Sequence, residues 1–180
     1  MMRWIYIALG GGVLCYLTLR VLAGWWLSSQ HADIPQVEEL KYELMLRALL
    51  DRDVPEVGVA QLAKLPSYQR LDARSRPEFE VSHLPHAHWI GYDDFDEARV
   101  AHLDKTQTTI IYCSVGYRSE KMVHQLTALG FTDVYNLYGG LFEWVNQGHE
   151  VVDASERVTS SVHAYNKLWG IWVRRGIKVY

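Results

Sequence analysis

From Tyr68 to Gln147 short β-branched runs alternate with amphipathic stretches, and this alternation restricts the fold more than any other feature of the chain. Tyr68 to Ala73 predicts a strand, with a turn after it at Arg74-Ser75-Arg76-Pro77. Ala87 to Ile90 predicts a short strand, and Asp93 to Leu103 a helix whose acidic start suits the helix dipole. Thr108 to Tyr112 predicts a strand. Ser119 to Leu129 predicts a helix with Gly130 as its C-cap. Val134 to Leu137 predicts another strand, and Gly140 to Gln147 a helix closed by Gly148. Strands and helices in turn at this spacing imply an α/β fold, a parallel sheet with helices on both faces. Functional loops of such sheets lie at the carboxyl ends of strands.

Cys113 falls at such an end. The apolar run Ile110-Ile111-Tyr112 stops at it, the flexible Ser114-Val115-Gly116-Tyr117-Arg118 follows, and a helix begins at Ser119. Successive N–H groups of a strand-to-helix loop converge on an anion, and the positive end of the helix dipole points the same way. Both favour thiolate over thiol and make the cysteine nucleophilic near neutral pH. Gly116 permits the bend, and Arg118 adds a fixed positive charge. A buried strand-end cysteine without chemistry is the alternative reading of the same pattern.

At 180 residues the chain holds one domain plus extensions. A formal net charge of -3 gives no electrostatic reason to expect nucleic acid as a partner. The two cysteines are Cys15, in an apolar N-terminal segment, and Cys113. An intrachain disulfide, a Cys-x-x-Cys redox pair and a cysteine-based zinc site are therefore not expected.

Trp4 to Leu27 is apolar or small apart from Arg20. As a helix, Trp4 to Trp25 would span about 31 Å, close to the ~30 Å of a bilayer's hydrocarbon core. Tryptophan at both ends fits the interfacial belt, and Arg20 lies within snorkelling reach of it. The expectation is a single-pass membrane anchor over residues 1–29, with a cleaved signal sequence as the alternative. Arg3 and the acidic Asp33, Glu38 and Glu39 place the domain on the extracytoplasmic side by the positive-inside rule; Arg20 argues the other way. Residues 30–56 read as a stalk. Its helix, from Asp33 to Arg52, would carry Val37, Leu40, Leu44 and Ala48 on one face, docked on the domain or on a second copy. A short helix follows at Val59 to Leu65.

Several motifs then occur in order. They are Leu71-Asp72-Ala73-Arg74, Glu78-Phe79, Ser82-His83-Leu84-Pro85-His86-Ala87, Cys113 to Ser119, Gly130-Phe131, Asn136-Leu137, and Gly139-Gly140-Leu141 with Trp144. Together they resemble the rhodanese-like family over residues 57–152. The resemblance implies the rhodanese α/β domain and a sulfurtransferase in which Cys113 carries a sulfane sulfur as a persulfide. It implies that the loop of Ser114, Val115, Gly116, Tyr117 and Arg118 cradles that persulfide and the incoming donor. Asp72, Arg74 and Ser119 would be supporting residues, with Asp72 ordering the neighbouring loops and Arg74 doing the same or lining the pocket mouth. The implied partners are a small sulfur donor and a thiol or protein-thiol acceptor, with neither metal nor organic cofactor. The Cys-x-x-x-x-Arg loop has the length found in rhodanese sulfurtransferases; phosphatases on the same fold have one residue more. Ser114 stands where many active members carry arginine, so Arg118 is the loop's one cation. Ser82 and His86 stand where the family has glycines, and His83 falls on a turn that is usually structural there.

Residues 153–180 extend beyond the resemblance. Asp153 to Ser161 reads as a polar linker. Val162 to Tyr180 mixes aromatic residues with cations and reads as a tail packed on the domain, tryptophans inward, or as a contact for a partner or a membrane surface.

Overall fold

The structure is a computed structural model, and it describes residues 36–62 and 64–180. The expected membrane span lies outside these residues. Among the described residues no helix is long and apolar enough to cross a membrane.

The centre is a five-stranded parallel sheet. Its strands are β1 (Glu56–Val57), β2 (Gln69–Asp72), β3 (His88–Trp89), β4 (Thr109–Tyr112) and β5 (Val134–Leu137), in the spatial order β1-β5-β4-β2-β3. β4 is the middle strand and is buried along its whole length. Continuous Thr109-Ile110-Ile111-Tyr112 suits that position, because a parallel strand covered on both faces needs no polar alternation. Ile110 and Tyr112 face one core, together with Leu46, Leu62, Leu141 and Phe142. Ile111 faces the other, together with Leu71, Met122 and Leu126.

Helices cover both faces, as the alternation predicts. They are α1 (Leu40–Leu49), α2 (Val59–Leu62), α3 (Arg76–Val81), α4 (Tyr117–Ala128) and α5 (Gly140–Asn146). α1 lies on its own domain: the buried Tyr42 hydroxyl donates to Gly139 O at 2.8 Å, and its ring stacks on Trp172. The chain leaving α1 is held by buried Glu120, whose carboxylate accepts the Arg52 N–H at 2.7 Å.

Four expectations need correction. The stalk helix starts at Leu40 within the described residues, preceded by non-helical chain from Gln36 to Glu39. β1 straddles the expected boundary between stalk and domain and was not foreseen; two residues are too short for a periodic signal. Asp93 to Leu103 is not a helix but a loop with a 3-10 turn at Glu97–Arg99. There the Arg99 guanidinium donates to Ile90 O and Asp94 O, both at 2.8 Å, and Asp96 caps Ala98 N–H. Aspartates at 93, 94 and 96 favour such local bonds over helix. Finally, Asp153 to Ser161 is not a linker. Val158–Thr159 (β7) pairs antiparallel with Val151–Val152 (β6), and the Asp153 carboxylate closes the turn on Ser155 and Arg157. Beyond it Ser161–His163 (β8) pairs with Ile177–Val179 (β9), which returns the tail to the domain with Val162, Ala164 and Val173 buried in the core.

Candidate active site

The sheet delivers Cys113 to the carboxyl end of its central strand. The next two residues lead to Gly116, which has φ +118 and caps α4. α4 begins at Tyr117, two residues before the sequence expectation, so Arg118 rides on its first turn. The other side of the loop is clamped by α5: Leu141 N–H donates to Cys113 O at 2.9 Å and Phe142 N–H to Ser114 O at 3.0 Å. That close approach requires Gly140, where an added Cβ would stand 2.5 Å from Cys113 O at φ +57.

Cys113 is 1% exposed, and its sulfur accepts the Gly116 N–H at 3.2 Å. Burial pushes the thiol pKa up, but the Arg118 charge and hydrogen bonds from Ser119 and Gly116 outweigh it, so the net direction is down. Ser119 is buried, with its hydroxyl donating to Asn136 Oδ1 at 2.7 Å, which ties the start of α4 to β5.

Arg118 is 17% exposed, and its guanidinium is paired from within. Nη1 and Nη2 each donate to the Glu78 carboxylate at 2.8 Å, a fork-on-fork pair. Nη2 also reaches Ser114 Oγ at 3.1 Å, and Ser114 Oγ donates back to Glu78 at 3.0 Å. The Tyr165 ring covers the guanidinium, 5.5 Å from its carbon. Glu78 is 2% exposed. Burial would raise its pKa, yet the bonds and charge of Arg118, with Arg74 nearby, take it down to about 2. Glu78 also accepts from the Ser75 N–H and hydroxyl at the start of α3. The sequence reading passed over Glu78 as a site residue. The available signal was Ser75-Arg76-Pro77-Glu78, a capping box with proline in the first turn, which fixes Glu78 on the α3 N-terminus.

A cleft of about 420 Å³ opens above the sulfur. Cys113, Ser114, Val115, Tyr117 and Arg118 line it, so the predicted loop does come together. Glu78 and Asp93 supply carboxylates, and Leu49, Tyr92, Tyr165 and Trp169 supply apolar and aromatic walls. Asp72 and Arg74 stand elsewhere. Both are fully buried and bonded to each other, Arg74 Nη2 to Asp72 Oδ2 at 2.7 Å, and Arg74 also donates to Asp72 through its backbone N–H at 2.8 Å. Arg74 thus orders the turn after β2 and does not line the mouth. The histidines diverge. His83 Nδ1 bonds Phe79 O at 2.9 Å while its ring stacks on Phe79, whereas the His86 side chain is 82% exposed. His86 holds φ +60, so the backbone here keeps a glycine-like conformation without glycine. Among the described residues no group of three metal-ligating side chains is found.

Comparison with known proteins agrees with this fold. A family model for the rhodanese-like domain matches residues 58–147. Curated relatives include the tRNA uridine(34) hydroxylases of Hamiltonella defensa, 33% identical over 48% of this chain and 26% of that protein, and of Sodalis glossinidius, 32% identical over 51% and 28%. The chain spans about a quarter of the length of these relatives. Among solved structures, the rhodanese-like domain of an Anabaena protein superposes with a TM-score of 0.52 at 23% identity, covering 57% of this chain and 82% of that one. The thiosulfate sulfurtransferase of Pseudomonas aeruginosa superposes with 0.50 at 21% identity, covering 61% and 22%. At these identities the two structures speak for the fold. The family model spans half of the chain, over four of the five sheet strands, the cysteine loop and both flanking helices, and the chain belongs to the rhodanese-like domain family.

Proposed function

We propose that this chain is a rhodanese-type sulfurtransferase that moves a sulfane sulfur through a Cys113 persulfide. The observation that carries the reading is the Cys113 sulfur at the floor of the cleft, in a six-residue loop, taking the Gly116 N–H with its pKa lowered. The Cys113 thiolate attacks the terminal sulfur of the donor. A new S–S bond forms, the donor's own S–S bond breaks, and the electron pair leaves with sulfite, a sulfinate or a thiolate. The acceptor thiolate then attacks the outer sulfur of the persulfide and regenerates the Cys113 thiolate. The outer sulfur has the α4 N-terminus beside it, which favours its anionic form. Each step exchanges one S–S bond for another and needs no external oxidant.

The test is an intact mass of the full chain after incubation with a sulfane donor, beside Cys113→Ser. One added sulfur atom on the native chain alone, removed by cyanide or a thiol, is the expected result. Addition to Cys113→Ser, or none to either with a free thiol at Cys113, would overturn the mechanism.

A second reading is a non-catalytic binding or sulfur-sensing module, held at a membrane by the N-terminal segment. The engagement of Arg118 by Glu78 favours it, because the loop's one cation is already neutralised. Persulfide that forms once and never passes to a thiol would support it.

A further inference from the structure

We infer that the cleft selects a bulky, aromatic or apolar sulfane donor carrying a single negative charge, with Tyr165 and Trp169 as specificity-determining residues. The inference rests on the sulfur-transfer reading of Cys113 and deepens it. Three observations converge.

The first is charge. Arg118, Glu78 and Asp93 line the cleft, so two carboxylates face one guanidinium even before the Cys113 thiolate is counted. The guanidinium is paired in its plane by Glu78, reached by the Ser114 hydroxyl, and covered on its face by Tyr165. A small dianion such as thiosulfate meets a cation already paired with a carboxylate there. Loop and helix N–H groups also meet an incoming anion beside the sulfur, and such partial charges suit one negative charge better than two.

The second is room. About 420 Å³ lies within the ~300–1,000 Å³ of ordinary small-molecule pockets and is far more than one sulfur atom needs. Leu49, Tyr92, Tyr165 and Trp169 make its upper wall, a surface suited to ring or alkyl contact.

The third is origin. The family model covers residues 58–147, whereas Leu49 comes from α1 and Tyr165 and Trp169 from the tail. The tail is firmly set. Asn146 Nδ2 donates to Trp172 O at 2.9 Å, Arg174 N–H donates to Asn146 Oδ1 at 2.7 Å, and Tyr165 N–H donates to His163 Nδ1 at 3.1 Å. Tyr165 itself holds φ +63, a conformation retained at some cost, and it projects a half-exposed ring over the cleft.

Three donors separate charge from bulk. Thiosulfate is a small dianion, methanethiosulfonate a small monoanion and benzenethiosulfonate an aromatic monoanion. In each the Cys113 thiolate takes the terminal sulfur, and the breaking S–S bond leaves its electron pair on sulfite or the sulfinate. Rates of persulfide formation on the full chain should rise in that order, with at least a tenfold span between the ends. Tyr165→Asn removes the ring while leaving a residue that accepts the left-handed backbone. It should lower the benzene-to-methane ratio at least threefold. Trp169→Ala should do the same, with its fold checked by the unfolding midpoint. Thiosulfate loading as fast as benzenethiosulfonate, or a ratio unmoved by Tyr165→Asn, would overturn the inference and leave the sulfur-transfer reading standing. Loading by none of the three, with the Cys113 thiol free, would overturn both.

Discussion

The Glu78→Gln substitution probes the contact on which both the stability and the electrostatics of the site turn. Glu78 is held at about 2 against an ordinary 4.5. At ~1.36 kcal/mol per pH unit this corresponds to about 3 kcal/mol of folding stability at neutral pH. A second route gives a similar figure: removing one partner of a buried ion pair costs roughly 3–5 kcal/mol, since the remaining charge is left uncompensated. Glutamine keeps one acceptor for Arg118 and for Ser75, so about 3 kcal/mol is the better expectation. In urea that lowers the unfolding midpoint by about 1–2 M, followed by tryptophan fluorescence.

The sign of the pH dependence distinguishes this account from a packing defect. Glu78 is lowered in the folded state, so its contribution is fully present above 4.5 and is lost as pH falls toward 2. The gap between native chain and Glu78→Gln should therefore narrow to about 1 kcal/mol by pH 3. The substitution also frees Arg118, so thiosulfate loading should speed up, by roughly tenfold for one unmasked charge contact of ~1.4 kcal/mol. A stability loss under about 1 kcal/mol at pH 7, or a gap that stays constant from pH 7 to pH 3, would refute the reasoning.

Other substitutions read other parts of the site. Gly140→Ala places a Cβ 2.5 Å from Cys113 O at φ +57 and should cost at least about 2 kcal/mol, seen as a lower melting temperature and slower alkylation of Cys113. His86→Gly relieves a left-handed φ of +60 on a side chain that is 82% exposed, and should stabilise by about 0.5–1 kcal/mol, or about 1–4 °C in melting temperature. The rate of Cys113 alkylation by iodoacetamide against pH should show a midpoint below that of free cysteine. Arg118→Ala should move that midpoint upward, because it removes the cation and leaves the buried Glu78 carboxylate beside the sulfur.

The strand that feeds Cys113 was legible because Thr109 to Tyr112 is a continuous run without polar alternation, as a strand covered on both faces can be. The close approach that requires Gly140 joins two distant segments and has no local signal, whereas Gly116 was legible as a backbone necessity of the loop. The Asp93 to Leu103 segment was not, because acidic periodicity looks helical while Arg99, reaching back to Ile90 O and Asp94 O, holds a loop instead. Asp153 to Ser161 looked like a linker because its order comes from one aspartate side chain closing a tight hairpin. The Arg118–Glu78 pair joins residues 40 positions apart in sequence, which no local spacing reveals. Only the capping box hinted that Glu78 would be fixed, and it hinted at the helix end rather than the site.

That pair also gives Ser114 a physical reason. An arginine at this position would add a second guanidinium beside Arg118, with Glu78 the carboxylate already shared between Arg118 and Ser75. Serine instead bridges Arg118 and Glu78 through one hydroxyl, accepting from the first and donating to the second. The result is a loop whose cation tunes the Cys113 sulfur through space but offers little to an incoming dianion. What the loop gives up in electrostatic capture, the extensions supply as surface: Leu49 from the helix before the family domain, Tyr165 and Trp169 from the tail after it. On this division the family fold sets the chemistry at sulfur, and the flanking segments set what can reach it. Replacing the aromatic wall should therefore change which donor is used well before it changes whether Cys113 can carry sulfur at all.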